Sequence, residues 1–592
     1  MDSIKHVGGS FLLENGDVSE IFTPEDFTEE QRGIAMAAKA FADGEILPNA
    51  EAIRNKDFDI TRKLLRACGK LDLLGIDIPE QYGGMDLSKV SSAIVTERLA
   101  SNADFFVSYA AHTGIGTLPL VYFGTDAQKA MYLPRLASGE YIGAYALTES
   151  CAGSDPQAMK TTAILSPDGA AYMLNGTKLW ITNAGFADLF TVFAKMGGDR
   201  KKITAFIVER GTPGFSIGPE EHKIGIKGSS TCALAFDNAR IPAENVLGGI
   251  GDGFKIAMNT LNMGRFKLGV GCVCGAKILI RVAADYAKER KTFGRAIAGY
   301  GLIQQKLASM LREAWLCEGM IFRVAAMIDA TLAEAGAENP SAAMQAIGTH
   351  AAECAAIKVY ASEMLSFVAK EAAKIHGGNG FMDENSAARA YGDSLINEIF
   401  EGTNEINRLV IAGTILKHAQ KGELGLFAAA KEYAENLAVP PEKTAAQNGA
   451  LSAETIALKH LKQLTVMLYG ALVSQCLAGG RQLEEEQEML GALADATTDV
   501  LALETAIART KKILARGKSA DQEIALTESA TAWIVESAAA RAKRVIRRLY
   551  DGNERHIHFA GIKRLTAYEA HDGIALDRAI AGTYLADEWK FA

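Results

Sequence analysis

The chain has 592 residues, 48% apolar and 22% charged, with a formal net charge of -9. That length points to roughly three or four domains with large apolar cores. The acidic balance excludes a nucleic-acid binder of the usual basic kind, and no run of about 18 apolar residues suggests a membrane span.

The first twenty residues, MDSIKHVGGSFLLENGDVSE, show neither a signal-peptide apolar run nor an Arg-rich transit pattern. A bacterial cytoplasmic location is expected, with a processed mitochondrial form as the alternative. Over residues 24–141 apolar residues recur at helical spacing, as in PEDFTEEQRGIAMAAKAFADGEILP, which is expected to stop at Pro48, and in ITRKLLRACGKLDLLGID. This predicts a helical N-terminal domain, residues 1–143, whose apolar faces line a pocket.

From residue 144 the period changes to two, and Ser166-Pro167-Asp168-Gly169 and Asn175-Gly176 read as turns between short strands. A compact antiparallel β-domain is predicted over 144–245. Helices return after Gly251, and Pro340 is the single proline between Pro242 and Pro440, which predicts a long-helix bundle over 246–438. Pro440-Pro441 reads as a linker to a separate C-terminal helical domain, 439–592, without further prolines. The fold class is therefore mainly α with a central antiparallel β-domain.

No metal site is expected. The eight cysteines lack the paired spacings of a disulfide framework, and Cys272-Val273-Cys274 sits in an apolar helical run without partner ligands.

Five stretches carry chemistry. In YALTESCAGS (145–154) and KLWITN (178–183), Thr148, Ser154 and Thr182 offer hydroxyls, and Trp180 offers a flat face unless it is simply core. In ERKTFGR (289–295), Arg290 and Thr292 suit a phosphate, the alternative being a solvated helix end. KIHGGNGF (374–381) is a glycine-rich turn without the strand context of a dinucleotide fingerprint or P-loop. In DSLINEIFEGTNEINR (393–408), Glu401 stands between Phe400 and Gly402, where partial desolvation raises a carboxylate's proton affinity and suits it to take a proton from carbon. Gly402 permits a turn or close approach, and Thr403 caps a helix with Glu405 in its first turn.

Taken in this order, the stretches resemble the acyl-CoA dehydrogenase family over about 24–418. YALTESCAGSD, LWITN, ERKTFG, and GGNGF followed by IFEGTNEINR match its flavin and catalytic signatures. GLIQQKLASM, ITAFIVERG, NMGRF (262–266) and the C-terminal extension resemble the very-long-chain type. The resemblance implies that Glu401 takes the α-proton of a long-chain acyl-CoA thioester while the β-hydrogen leaves as hydride to FAD, giving the trans-2-enoyl product. It also implies that the backbone amide of Glu401, with a flavin hydroxyl, holds the thioester oxygen.

By the same resemblance, Tyr145, Leu147, Thr148, Trp180 and Thr182 surround the flavin ring, and Ser154 meets a flavin phosphate or the CoA. Arg290, Thr292, Phe293, Lys374, Gly377 and Gly378 reach the FAD of a neighbouring subunit, and Thr403 and Glu405 lie by its adenylate. Asn262, Arg265 and Gly402 meet substrate, with Asn262 and Arg265 also holding the catalytic loop. An electron-transfer flavoprotein as acceptor and a homodimer follow as expectations. Ser150, Lys374 and Glu405 depart from the family's usual Pro, Gln, and Gln or Asp, and Lys374 adds a charge for the pyrophosphate. Two alternatives remain: a scaffold protein on the same fold, and a flavin oxidase or monooxygenase relative.

A last helix, 532–549, gathers Ile534, Ala538, Ala542, Val545, Ile546 and Leu549 on one side and Arg541, Lys543, Arg544, Arg547 and Arg548 on the other. It predicts either peripheral contact with an anionic membrane or an apolar side packed in the domain core.

Overall fold

The computed structural model describes the chain apart from residues 1–6, 15–18, 198, 200–201, 337–339, 438–448 and 592. The expected Pro440-Pro441 linker lies outside the described residues.

Seven helices open the described chain: α1 (Glu29–Phe41), α2 (Ala50–Arg54), α3 (Phe58–Lys70), α4 (Lys89–Leu99), α5 (Ala103–Ala111), α6 (Leu118–Phe123) and α7 (Asp126–Ala137). Thr28 starts α1 by a reciprocal cap: its hydroxyl accepts from the Gln31 N–H at 3.1 Å, and the Gln31 side chain accepts from the Thr28 N–H at 3.0 Å. Pro48 does not stop the helical run. It occupies the short 3-10 turn Leu47–Asn49, where its missing N–H is tolerated, and the chain continues into α2.

The middle of the chain forms β1 (Gly143–Ala146), β2 (Thr162–Leu165), β3 (Ala171–Thr182), β4 (Leu189–Met196), β5 (Ile203–Glu209), β6 (Phe215–Glu220), β7 (Thr231–Pro242) and β8 (Val246–Leu247). The order is β6-β7-β3-β2-β4-β5-β8, with β1 on β4. The sheet is mixed rather than wholly antiparallel, because β1 and β2 both pair with β4 in parallel. Ser166 to Gly169 make the expected turn. Asn175-Gly176 do not: they lie inside β3 at a shift of register against β7. A Cβ on Gly176 would stand 2.7 Å from the Cα of Thr161, so this glycine admits a neighbouring strand rather than reversing the chain.

The bundle contains α8 (Gly253–Glu289), α9 (Gly301–Ala335), α10 (Pro340–Thr349), α11 (Ala351–Ile375), α12 (Ser386–Ser394), α13 (Asn404–Gln420) and α14 (Leu426–Glu435). A two-stranded ribbon, β9 (Lys291–Thr292) with β10 (Arg295–Ala296), follows α8. Cys272 and Cys274 are buried in α8. Beyond residue 448 come α15 (Ser452–Gly479), α16 (Gln487–Ala515), α17 (Asp521–Leu549), α18 (Gly552–Leu565) and α19 (Gly573–Leu585).

This extension shares one continuous apolar core with the bundle. Buried ion pairs cross the join: Arg323 with Glu504 at 2.7 Å, and Arg509 with Glu318 at 2.9 Å. Ile534, Ala538, Ala542, Val545, Ile546 and Leu549 of α17 are all buried in that core, and Arg541 pairs with Asp499 at 2.6 Å. The apolar side of α17 is thus covered by packing within the chain. Among the described residues no helix is long and apolar enough to cross a membrane.

Candidate active site

Glu401 and Gly402 both adopt left-handed backbone conformations, with φ of 58° and 84°. For glutamate this costs about 1–2 kcal/mol and persists only where neighbours fix it. Three donors do so. Arg265 Nε donates to the Glu401 carbonyl at 3.1 Å, Lys358 Nζ donates to the Gly402 carbonyl at 2.8 Å, and Asn407 Nδ2 reaches the same Gly402 oxygen at 2.7 Å. Asn262 accepts from Arg265 Nη1 at 3.0 Å, so it steadies the arginine rather than touching the loop. Immediately after, Thr403 caps α13 by accepting from the Ile406 N–H, with Glu405 exposed in the first turn.

This turn directs the Glu401 carboxylate into a cavity lined by Phe106, Ala111, Thr182, Gly264, Leu268 and Phe400. Its Oε2 is buried and has no hydrogen-bond partner. Gly264 makes room for it, since a Cβ there would stand 2.6 Å from Oε2. Burial pushes the Glu401 carboxyl up to about 7, and the positive charges of Arg265 and Lys358 hold it from going higher. Lys358 is itself pushed down to about 8, by burial first.

The first two signature stretches meet beside this cavity. The Leu179 N–H donates to the Thr148 carbonyl at 2.9 Å, and the buried Lys178 ammonium donates to the Leu147 carbonyl at 3.1 Å and to Glu149 Oε1 at 2.7 Å. Tyr145 and Leu147 are buried, so their side chains are walls rather than open contacts. Trp180 is not core: it breaks the register of β3 at φ 58° and leaves 61% of its surface exposed. Thr182 lines the same cavity as Glu401, Thr148 is half-buried, and Ser154 is exposed.

The other flavin candidates collect elsewhere. Arg290 caps the far end of α8, about 39 Å along the helix from Gly264 at 1.5 Å per residue. Phe293 projects almost free, 96% exposed, beside Thr292. The 374–381 turn packs against the same end, through stacking of His376 on Tyr286 at 4.3 Å and a hydrogen bond from Asn379 to the Tyr286 hydroxyl at 3.3 Å. Gly377 and Gly378 are exposed there. Lys374 pairs with Glu371 at 2.8 Å, so its charge is already engaged within the chain. Arg290, Thr292, Phe293, Lys374, Gly377 and Gly378 therefore form one surface, which a single chain does not bring to Glu401.

Lys358, Asn407 and Gly264 escaped the sequence reading, although each fixes or accommodates Glu401. Lys358 carries no motif, whereas Gly264 stands inside NMGRF and Asn407 inside the 393–408 stretch.

Uncovered aromatic faces at Trp180 and Phe293, with hydroxyls and glycines beside them, fit a planar polycyclic cofactor with polar edges, as FAD is. Comparisons with known proteins agree. Family models described as the acyl-CoA dehydrogenase N-terminal domain, middle domain and C-terminal domain match residues 28–140, 144–239 and 251–416, and another C-terminal-domain model matches 460–564. A probable acyl-CoA dehydrogenase of Bacillus subtilis is 42% identical over 98% of both chains. The human mitochondrial very long-chain specific acyl-CoA dehydrogenase is 35% identical over 79% of this chain and 72% of its own. A crystal structure of a Bacillus anthracis acyl-CoA dehydrogenase complexed with FAD superposes with a TM-score of 0.95 at 40% identity, covering 98% of this chain and 99% of that one. The chain belongs to the acyl-CoA dehydrogenase family and is an FAD-dependent enzyme of that family.

Proposed function

We propose that the protein dehydrogenates a long-chain acyl-CoA to its trans-2-enoyl-CoA, with Glu401 as the base. The observation that carries this is the half-buried Glu401 side chain in an apolar cavity: its Oε2 is buried and unpartnered, and its proton affinity is raised to about 7. A base so tuned takes a proton from carbon near neutral pH and releases it afterwards. The N–H of Glu401 is the donor we assign to the thioester oxygen, where it stabilises negative charge as the α-carbon loses its proton. Arg265, Lys358 and Asn407 hold the loop so that neither group must be reoriented during the reaction. FAD, when bound, supplies the acceptor for the β-hydride.

Around FAD we assign Thr148, Trp180 and Thr182 to the flavin ring, with Tyr145 and Leu147 as the walls behind it. Ser154 is assigned to a phosphate, Thr403 and Glu405 to the adenylate, and Gly402, Asn262 and Arg265 to the substrate side. The distance of Arg290, Thr292, Phe293, Gly377 and Gly378 from Glu401 favours their serving the site of a second copy, hence a homodimer. An electron-transfer flavoprotein is the acceptor we infer for the reduced cofactor. Long chains are favoured by the likeness to relatives named very long-chain specific. The aimed carboxylate favours catalysis over scaffolding. Steady-state turnover of palmitoyl-CoA with an artificial electron acceptor, and identification of the product, tests the reading: trans-2-enoyl-CoA supports it, and no enoyl product refutes it.

A further inference from the structure

We propose that Asp495, in the C-terminal extension, is a positioning residue for the catalytic loop: through Arg408, Glu363 and Asn404 it holds the Lys358 ammonium against the Gly402 carbonyl. The proposal rests on the dehydrogenase reading above and gives the extension a part in that same site.

The contacts form one unbroken chain. Arg408 stands on α13, the helix that Thr403 caps. Its Nε donates to Asp495 Oδ1 of α16 at 2.7 Å, and its two terminal nitrogens donate to Glu363 Oε1 and Oε2 at 2.8 and 2.9 Å. Glu363 Oε1 also accepts from Asn404 Nδ2 at 3.1 Å. At the other end of the amide, Asn404 Oδ1 accepts from Lys358 Nζ at 2.7 Å, and the same ammonium donates to the Gly402 carbonyl at 2.8 Å. Glu401 is the neighbouring residue.

The polarity of each link leaves one arrangement. A carboxylate only accepts and an ammonium only donates, so Glu363 and Lys358 fix which end of the Asn404 amide faces which. Ser362 does not, because its hydroxyl accepts from Nδ2 at 3.0 Å and donates to Oδ1 at 3.3 Å. All three nitrogens of the Arg408 guanidinium are in use. A fork on Glu363 alone could swing with that side chain, which is 43% exposed, and the bond from Nε to Asp495 anchors it to α16. Partly exposed pairs of this kind contribute little to stability one by one. This set matters by where it ends, on buried Asn404 and Lys358 beneath the loop that carries Glu401.

Without Asp495, Arg408 and Glu363 are free to turn to solvent, Asn404 loses the acceptor that orients it, and Lys358 is held less closely. Two effects follow at Glu401. The loop is less well placed, which lowers kcat. Burial raises the Glu401 carboxyl, and Arg265 and then Lys358 draw it down; with the Lys358 charge less close, Glu401 takes its proton at higher pH.

The test measures kcat and the pH profile of kcat/KM for palmitoyl-CoA under saturating FAD, in wild type, Asp495→Ala, Asp495→Asn and Glu504→Gln. Glu504 also joins α16 to the bundle, through Arg323, but touches no member of the chain, so it reports a loosened join by itself. Asp495→Ala is expected to lower kcat about three- to tenfold and to move the acidic limb to higher pH, with a smaller change in the same direction for Asp495→Asn. Glu504→Gln is expected to lower the melting temperature and leave the limb in place. Should Asp495→Ala fail to fold, Asp495→Asn decides. An unmoved limb in the folded Asp495 variant, or an equal shift in Glu504→Gln, overturns the positioning role alone. Wild type that forms no enoyl-CoA overturns the dehydrogenase reading and the positioning role with it.

Discussion

Arg265 hydrogen-bonds the main chain of Glu401 and not its side chain: Nε donates to the carbonyl at 3.1 Å, while Oε2 of the same glutamate has no hydrogen-bond partner. A direct ion pair would have lowered the carboxyl's proton affinity and spent its lone pairs. Holding the backbone instead fixes the position and leaves the acid–base group free.

Glu401→Gln is expected to retain FAD, because size and carbonyl are kept, and to lose at least about 10³-fold in turnover, because an amide accepts no proton. Flavin absorbance per protein and steady-state rates check both halves. Retention of a tenth of the wild-type rate would assign the base to another group.

The pH profile follows from the raised carboxyl. Glu401 must be ionised to act, so kcat/KM should fall as pH drops through about 7. Stability moves the other way. A folded value of about 7 against an ordinary 4.5 means that the stability linked to this proton is full below 4.5 and lost as pH rises through about 7. Glu401→Gln should therefore melt above wild type at alkaline pH and gain nothing below pH 4.5. Equal melting temperatures at alkaline pH would contradict the burial argument.

Charge and geometry at Arg265 separate in two variants. Arg265→Lys keeps the positive charge but loses the planar donor fork, so the acidic limb should stay in place while kcat falls. Arg265→Met removes the charge that pulls Glu401 down, and the limb should move to higher pH. Profiles and kcat equal to wild type in both variants would show that the arginine acts on neither the loop nor the carboxyl.

Arg290→Ala is expected to weaken FAD retention, since a phosphate loses a charged donor worth about 1.5–3 kcal/mol. Because Arg290 is about 39 Å along α8 from Gly264, the loss should appear without any change in the acidic limb of turnover measured under saturating FAD. Equal flavin content in variant and wild type would remove Arg290 from the cofactor site.

With anionic liposomes at physiological ionic strength, the full chain is expected to stay in the supernatant. The apolar side of α17 is buried, and exposed Arg544, Arg547 and Arg548 bring charge without an anchor. Sedimentation with the vesicles would mean that α17, or another face, is released on binding.

Most helices and the cap at Thr403 were legible because period and capping act locally, but Pro48, expected to stop a helix, sits in a 3-10 turn that leads into the next one. Pairing in the sheet was not. The parallel pairing of β1 and β2 with β4, and the glycine that lets β3 pass Thr161, depend on contacts distant in sequence. Glu401 was legible from its flanking Phe400, Gly402 and Thr403, which announce a desolvated turn before a helix. Lys358 was not, since a lysine in a helix shows no sign of being buried under a loop 44 residues later. The amphipathic pattern of α17 was correctly seen, but period alone does not say whether lipid or protein covers the apolar side; the core of α15 and α16 does.

In the proposed reaction Glu401 takes a proton from the acyl chain as FAD is reduced. Anaerobic addition of palmitoyl-CoA to the FAD-loaded protein, followed by the visible flavin band, tests it most directly. Rapid bleaching is expected in wild type and none in Glu401→Gln. Bleaching at equal rates in both, or an unchanged band in FAD-loaded wild type, would contradict it.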